Sequence, residues 1–404
     1  MDCGLLGEHL SHSYSPLIHR ELGDYSYQLF ALAPHELEAF LRLGQFRGLN
    51  VTIPYKKAVM PYCKELSPTA RAMGCVNTLL RMEDGSLYGD NTDAVGFARL
   101  LDSLESFGKG QKALILGTGG AAGTAKAVIE SRGGEAVLIS RRGKNHYVNL
   151  YDHEDATLLV NATPVGMYPH NGECLVELSR LPRLRGVLDL IYNPCRTKLL
   201  MEAEKRQIPC SNGLPMLVYQ AHRAAELFTG HSIPGERCER ILCKLSREME
   251  NLILIGMPGS GKTTVGRLLA QRLGRPFADA DRELEERIGD IPSFLLRWGE
   301  EAFRLEETAV LRDLGRRSGW VIATGGGAVT REENYPLLHQ NGRIIRLERQ
   351  LASLATEGRP LSRGRSLEEL FAQRDPLYRS FADLTVENNS TVESTVEKIM
   401  ERIR

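Results

Sequence analysis

The sequence has no apolar run approaching the ~20 residues that a membrane helix needs. Its N-terminus, MDCGLLGEHL, lacks the basic-then-apolar layout of a secretory signal. The eight cysteines are scattered, with no Cys-x-x-Cys and no zinc-ligand spacing, so neither a disulfide framework nor a zinc site is expected. There is no excess of charge: 51 basic and 51 acidic residues leave a net charge of zero, which argues against nucleic acid or an anionic membrane as partner. No low-complexity segment occurs. These absences point to a cytoplasmic enzyme with free thiols, acting on small molecules through local anion sites.

At 404 residues, 42% hydrophobic and 25% charged, the chain is long enough for two or three domains, each with its own core. Two segments read as a short apolar strand, a glycine loop and a helix: 112–130, KALILGTGGAAGTAKAVIE, and 251–273, NLILIGMPGSGKTTVGRLLAQRL. Between them, 231–250 reads as a terminal helix followed by a boundary near Glu248, dividing the chain into 1–247 and 248–404. Residues 87–104 read as a loop entering a helix, and 213–230 as a closing helix. The order implies a substrate lobe, 1–105 and 213–247, around a nucleotide lobe, 106–212. The fold class is α/β in both parts.

The first loop places Gly117, Gly119 and Ala122 in G-x-G-x-x-A between strand and helix. The first glycine permits the tight turn, the second lets backbone approach a pyrophosphate, and the alanine allows close helix–strand packing. The helix start offers free N–H groups to the anion. The next strand ends at Ser140-Arg141-Arg142. Two guanidinium groups where an acidic residue would favour NAD suit a 2′-phosphate, so NADP(H) is the expected cofactor. A solvated charge pair at a strand end is the bland alternative.

In the substrate lobe, His12-Ser13-Tyr14-Ser15-Pro16 sets two hydroxyls at a helix start, where they could bind a carboxylate or merely cap the helix. Asn50-Val51-Thr52-Ile53-Pro54-Tyr55-Lys56 is a strand running into a proline turn. Lys56 beside Lys57 is a candidate proton donor, and Asp93 in GDNTD is its candidate partner. Taken singly, such lysines and aspartates are ordinarily solvated.

Seven motifs in order, HSYSP, NVTIPYK, CVNT, GDNTD, GTGGAAG, NATPVGM and GLPMLVYQA, resemble those of shikimate dehydrogenases over residues 4–245. The resemblance implies a two-lobed dehydrogenase in which Ser13 and Ser15 hold the substrate carboxylate. Thr52, Asn77, Asp93 and Gln220 bind ring hydroxyls, with Tyr192 nearby, and Lys56 with Asp93 is the catalytic pair. It extends the cofactor contacts to Gly120, Ala121, Ser140, Arg141, Arg142, Thr163 and Gly213. One departure stands out. Roughly 20 residues separate Arg141 from Asn161, too few for a further helix, loop and strand, so the nucleotide sheet is expected to be abbreviated. The usual Asn-Arg-Thr after the second strand is also replaced by Ser140-Arg141-Arg142.

The second loop, Gly256-x-x-x-x-Gly261-Lys262-Thr263, is a complete phosphate-binding loop between a strand, LILI, and a helix. Its backbone, with Gly259, Ser260 and Thr264, would cradle ATP; Lys262 would reach the outer phosphates and Thr263 would ligate Mg²⁺. Asp279 and Asp281 lie two apart in FADAD, which reads as a strand that would point both the same way. Arg304 and Glu307 are one helical turn apart, and Thr324-Gly325-Gly326-Gly327 suggests backbone passing close to a ligand.

GMPGSGKT, DAD, GEEAFRLEE, ATGGGAV, GRPLS and QRDPLYR, in that order over 251–404, resemble shikimate kinase. The resemblance implies that Arg304 and Arg374 clamp the shikimate carboxylate, supported by Glu307. Gly326 and Gly327 line the acceptor site, and Asp281 takes or orients the 3-hydroxyl proton. Asp279 falls to the Mg²⁺ shell, and Arg359 lies in a lid over the phosphates. The expected protein therefore reduces 3-dehydroshikimate with NADPH and then phosphorylates shikimate with ATP. Two alternatives stay open: a kinase carrying a shikimate-binding module that does not turn over, and a first half acting on quinate.

Overall fold

The computed structural model describes residues 2–10, 13–104, 107–354 and 366–403. It contains two compact units, one of Met1–Met167, Gly172–Tyr192 and Leu199–Leu245, the other of Tyr168–Asn171, Asn193–Lys198 and Ser246–Arg404.

The first unit opens with β1 (Asp2–Gly7), α1 (Ser15–Leu22), β2 (Ser26–Ala31), α2 (Leu37–Leu43), β3 (Gly48–Val51), β4 (Cys63–Leu66), α3 (Pro68–Met73), β5 (Thr78–Arg81), β6 (Leu87–Asp90) and α4 (Asp93–Asp102). The strands form a six-stranded sheet in the order β2-β1-β3-β5-β6-β4. β5 runs antiparallel to both β3 and β6, with Asn50 opposite Thr78 and Thr78 opposite Asp90. That register brings the end of β3, the start of β5 and the end of β6 to one sheet edge, although they are far apart in sequence. Leu87–Asp90 is a strand, not the loop expected from LYGDN. Gly89 explains the misreading: it looks like a turn residue, but a Cβ there would lie 2.8 Å from Leu66 and 2.9 Å from Cys63 Sγ and Val76. Its glycine serves packing within the sheet.

The chain then builds β7 (Lys112–Leu116), α5 (Gly120–Ser131), β8 (Glu135–Ile139), β9 (Leu158–Asn161), β10 (Gly186–Asp189), α6 (Lys198–Lys205) and β11 (Cys210–Ser211). The sheet order is β11-β10-β9-β7-β8, with every described pairing parallel. β9 and β10 are buried at every position, as strands covered on both faces must be. Between β8 and β9 the described residues form an isolated bridge, Ser140 to His146, and a 3₁₀ turn, Leu150–His153, with no further strand or α-helix. The lobe is thus an abbreviated Rossmann-like sheet. Next, α7 (Leu214–Thr229) returns to pack on α4 at close range: a Cβ on Gly96 would lie 2.4 Å from Met216 O. α8 (Glu236–Met249) follows, and the division between the units falls within it.

The second unit runs through β12 (Asn251–Ile255), α9 (Lys262–Leu273), β13 (Phe277–Asp279), α10 (Ala280–Ile288) and α11 (Ile291–Gly315, broken at Gly299). It continues through β14 (Val321–Ala323), α12 (Asn334–His339), β15 (Gly342–Glu348), α13 (Leu367–Phe381), β16 (Leu384–Glu387) and α14 (Val392–Arg402). Its parallel sheet has the order β13-β14-β12-β15-β16. Among the described residues no helix is long and apolar enough to cross a membrane.

Candidate functional sites

The first site forms where the antiparallel register gathers chain ends. Lys56, in the turn after β3, is fixed through its carbonyl, which accepts from Val76 N at 2.8 Å. Its Nζ donates to Asp93 Oδ2 at 2.5 Å, and both side chains are largely shielded, 26% and 12% exposed. Asp93 opens α4, and its N–H is held by Asn91 Oδ1 at 3.1 Å. Lys57 is exposed; the neighbour that organises Lys56 is Asp93.

Behind this pair lies a buried polar network. Thr92 N donates to Asn77 Oδ1 at 2.7 Å and Asn77 Nδ2 to Thr92 Oγ1 at 3.1 Å. Thr78 Oγ1 donates to Asn77 Oδ1 at 3.0 Å and accepts from Asn50 Nδ2 at 3.3 Å, while Asn50 Oδ1 accepts from Tyr27 OH at 2.8 Å. Ser15 is buried at the head of α1 and donates its N–H to Ser13 Oγ at 3.2 Å. Gln220 on α7 lies against Gly96 of α4, and its Nε2 donates to Leu217 O at 2.9 Å. Tyr192 packs edge-on against Tyr14 with centroids 6.0 Å apart, and Thr52 lies against Gly7. Asn50, Thr92 and Tyr27 are members of this network that carry no signal of their own in the sequence. Nothing in their spacing marks them, because the sheet register alone brings them together.

The nucleotide loop sits between β7 and α5. Gly117 adopts φ 109°, where a Cβ would lie 3.1 Å from Ala162 O and from Thr163, so the turn requires glycine. A Cβ at Gly119 or Gly120 would meet no atom within 4 Å, and Ala121 is partly exposed. Ala122 is fully buried against the sheet. An open backbone at a helix start fits a dinucleotide pyrophosphate. Arg141 and Arg142 are exposed just past β8, and Ser140 Oγ bonds the Arg142 carbonyl. Thr163 Oγ1 donates to Asn161 Oδ1 at 2.7 Å. Gly213 is different: its N–H is taken by Ile191 O at 3.0 Å and a Cβ would lie 2.1 Å from Leu190 O. That glycine answers to the chain's own backbone, and its amide is not available as a donor.

The second site is a cleft of about 720 Å³ lined by the phosphate loop, Asp281, Arg304, Glu307, Gly325–Gly327, Arg349 and Arg374. Gly256, Gly259 and Gly261 adopt φ of 147°, 83° and 90°, the left-handed region in which glycine is favoured. Lys262 Nζ donates to Gly256 O and Met257 O at 2.9 and 3.1 Å. Ser260 O accepts from the buried Asn388 Nδ2 at 2.6 Å, an anchor the sequence did not reveal. Thr263 Oγ1 donates to Asp279 Oδ2 at 2.6 Å, and Thr264 also lines the cleft. A hydroxyl and a carboxylate beside a phosphate loop fit Mg²⁺, which takes few protein oxygens and shares phosphate ligands.

Asp279 and Asp281 do not share a strand face. β13 ends at Asp279, which caps α10 by accepting from Asp281 N at 3.1 Å, so Asp281 stands in the helix's first turn. The capping bond overrides the strand period. Asp281 nevertheless enters the cleft. Burial pushes its carboxyl up to about 6, with Asp279 and Glu307 adding to the rise and Lys262 opposing it.

Arg304 and Glu307 form a buried pair at 2.6 Å, not the surface pair their spacing suggests. Arg374 Nη1 donates to Gly326 O at 3.1 Å. The three glycines are required by the protein's own groups. A Cβ at Gly325 would lie 2.5 Å from Asp281 Oδ1, at Gly326 2.7 Å from Pro258, and at Gly327 2.0 Å from Arg304 Nη1. Arg359 lies outside the described residues.

Comparison with known proteins covers both units. Residues 5–79 match the family described as shikimate dehydrogenase substrate binding domain, and residues 258–404 match shikimate kinase. A shikimate dehydrogenase (NADP(+)) from Methanopyrus kandleri is 40% identical over 267 residues, covering 58% of this chain and 91% of that protein. Among solved structures, a chorismate mutase/shikimate 5-dehydrogenase fusion from Clostridium acetobutylicum aligns with TM-score 0.58 at 32% identity, covering 60% of this chain and 96% of that one. The shikimate 5-dehydrogenase of Thermus thermophilus, solved with NADP(H) and shikimate, gives TM-score 0.54 at 31% identity over 60% and 99% of the respective chains.

Proposed function

The chain belongs to the shikimate dehydrogenase family and carries a shikimate kinase domain, and from that premise we propose that one polypeptide reduces 3-dehydroshikimate with NADPH and phosphorylates the shikimate formed. The observation that carries the reading is the coexistence of the Lys56–Asp93 pair with a complete phosphate loop facing Asp281.

In the reduction, Ser13 and Ser15 hold the carboxylate, and Thr52, Asn77 and Gln220 hold the ring hydroxyls, with Tyr192 nearby. Lys56, oriented by Asp93, delivers a proton to the oxygen of the keto group. The loop at Gly117–Ala122 would hold the pyrophosphate of NADPH, whose nicotinamide would supply the hydride. In the second reaction Arg304, braced by Glu307, and Arg374 fix the shikimate carboxylate. Asp281 accepts the proton of the attacking 3-hydroxyl, while Lys262 and the loop amides steady the transferred phosphoryl group. Thr263 and Asp279 would hold Mg²⁺, which would supply neutralisation of the phosphate charge.

The exposed guanidinium pair supports NADPH over NADH. In Arg141→Ala/Arg142→Ala we expect the KM for NADPH to rise about tenfold, the size of one or two solvent-screened charge-assisted bonds, with kcat/KM for NADH within threefold. Steady-state rates of the two cofactors with 3-dehydroshikimate check this. Equal use of both cofactors by the unsubstituted protein would remove the preference. No turnover with either would leave the first unit as a shikimate-binding module.

A further inference from the structure

We infer that Arg349 is a further nucleotide-contacting residue of the kinase unit, set to grip the outer phosphates of ATP; the inference rests on the kinase reading above. Nothing in RIIRLERQL marks this arginine. The sheet does. β15 lies parallel to β12 with Leu254 opposite Ile345 and Ile255 opposite Arg346. β12 runs directly into the phosphate loop, and a Cβ on Gly256 would lie 2.6 Å from Leu347 O. Arg349, one residue beyond the end of β15, therefore emerges beside the loop, and it lines the same cleft as Gly259, Gly261 and Lys262.

Among the described residues no carboxylate is left for it. Glu348 is taken by Arg346 at 2.8 Å, and Asp375 by Arg346 and by Arg379 at 2.9 Å. The next residue is pinned separately, with Gln350 N donating to Asn389 Oδ1 at 2.9 Å. The other cations of the cleft have partners in the protein: Lys262 on loop carbonyls, Arg304 on Glu307, and Arg374 on Gly326 O. Arg349 Nε is buried with no hydrogen-bond partner, and no ion pair to its guanidinium occurs among the described residues. A buried N–H without an acceptor is costly, and a guanidinium fork suits phosphate oxygens. At the mouth of a phosphate loop, the ligand is the acceptor that removes that cost. This role is binding and charge stabilisation on the nucleotide side, separate from the carboxylate clamp of Arg304 and Arg374.

The test uses Arg349→Ala and Arg349→Lys in the full chain, with KM for ATP and shikimate and calorimetric affinities for ATP and AMP. We expect alanine to weaken ATP about tenfold in both KM and Kd, as for loss of one charge-assisted contact. Lysine should recover part of the loss, and the KM for shikimate and the affinity for AMP should stay within twofold. Unchanged ATP affinity overturns the proposal. So does an equal loss for AMP, which would place the contact on the base or α-phosphate, or a rise in shikimate KM alone. Arg349→Gln, which keeps chain length without charge, gives the same reading should the alanine variant not fold. Unsubstituted protein that binds ATP but leaves shikimate unphosphorylated would sink the kinase reading while the calorimetry still decides the fate of Arg349.

Discussion

Lys56→Ala should lower kcat for 3-dehydroshikimate reduction about 10³-fold, within the 10²–10⁴ expected of a positioned proton donor, which is ~4 kcal/mol of barrier. The KM for 3-dehydroshikimate should change far less, because the carboxylate and the ring hydroxyls are assigned to other residues. Phosphorylation of added shikimate by the same variant should be unaffected, which provides an internal control for folding of the second unit. Removing the ammonium leaves Asp93 shielded without its 2.5 Å partner, so some loss of stability in the first unit is also expected. Thermal unfolding of the variant separates that loss from the chemical one. A kcat within threefold of the parent would remove Lys56 from the chemistry.

The loops were legible because their glycine spacing is a local code: φ of 109° at Gly117 and 147° at Gly256 can be anticipated from the strand, turn and helix around them. The abbreviated nucleotide sheet follows from the short spacing between Arg141 and Asn161 set against the family's pattern. What the sequence hid depends on contacts distant in the chain. Asn50, Thr78 and Asn77 join one network only because β5 runs antiparallel between β3 and β6. Asn388 reaches Ser260 O from the far end of the second unit, with no spacing rule to announce it. Gly325–Gly327 line the cleft as their run of three suggests, and what the sequence does not show is that side chains of Asp281, Pro258 and Arg304 occupy the positions their Cβ atoms would fill. Periodicity failed at FADAD because a capping carboxylate ended the strand two residues early.

Asp281 carries the second large effect. Its carboxyl is pushed up to about 6, chiefly by burial. The ionised form is the one that can accept a proton. Kinase kcat/KM should therefore hold above that value and fall tenfold per pH unit below it, as the carboxylate becomes protonated. Asp281→Asn should cost 10²- to 10⁴-fold in kcat, and its residual rate should no longer follow that acid limb. The dehydrogenase rate of the same variant should match the parent. A pH profile for the parent that is flat from 5 to 7, measured with saturating Mg²⁺, would show that no group with this titration governs the step.

Two successive reactions at two separate sites of one chain are tested most directly by giving the purified protein 3-dehydroshikimate, NADPH and MgATP together and following NADPH absorbance and the phosphorylated product. One shikimate 3-phosphate is expected per NADPH consumed, with shikimate accumulating when ATP is withheld and no product when NADPH is withheld. Consumption of NADPH without phosphorylation, or phosphorylation of added shikimate by a chain that leaves 3-dehydroshikimate untouched, would contradict it.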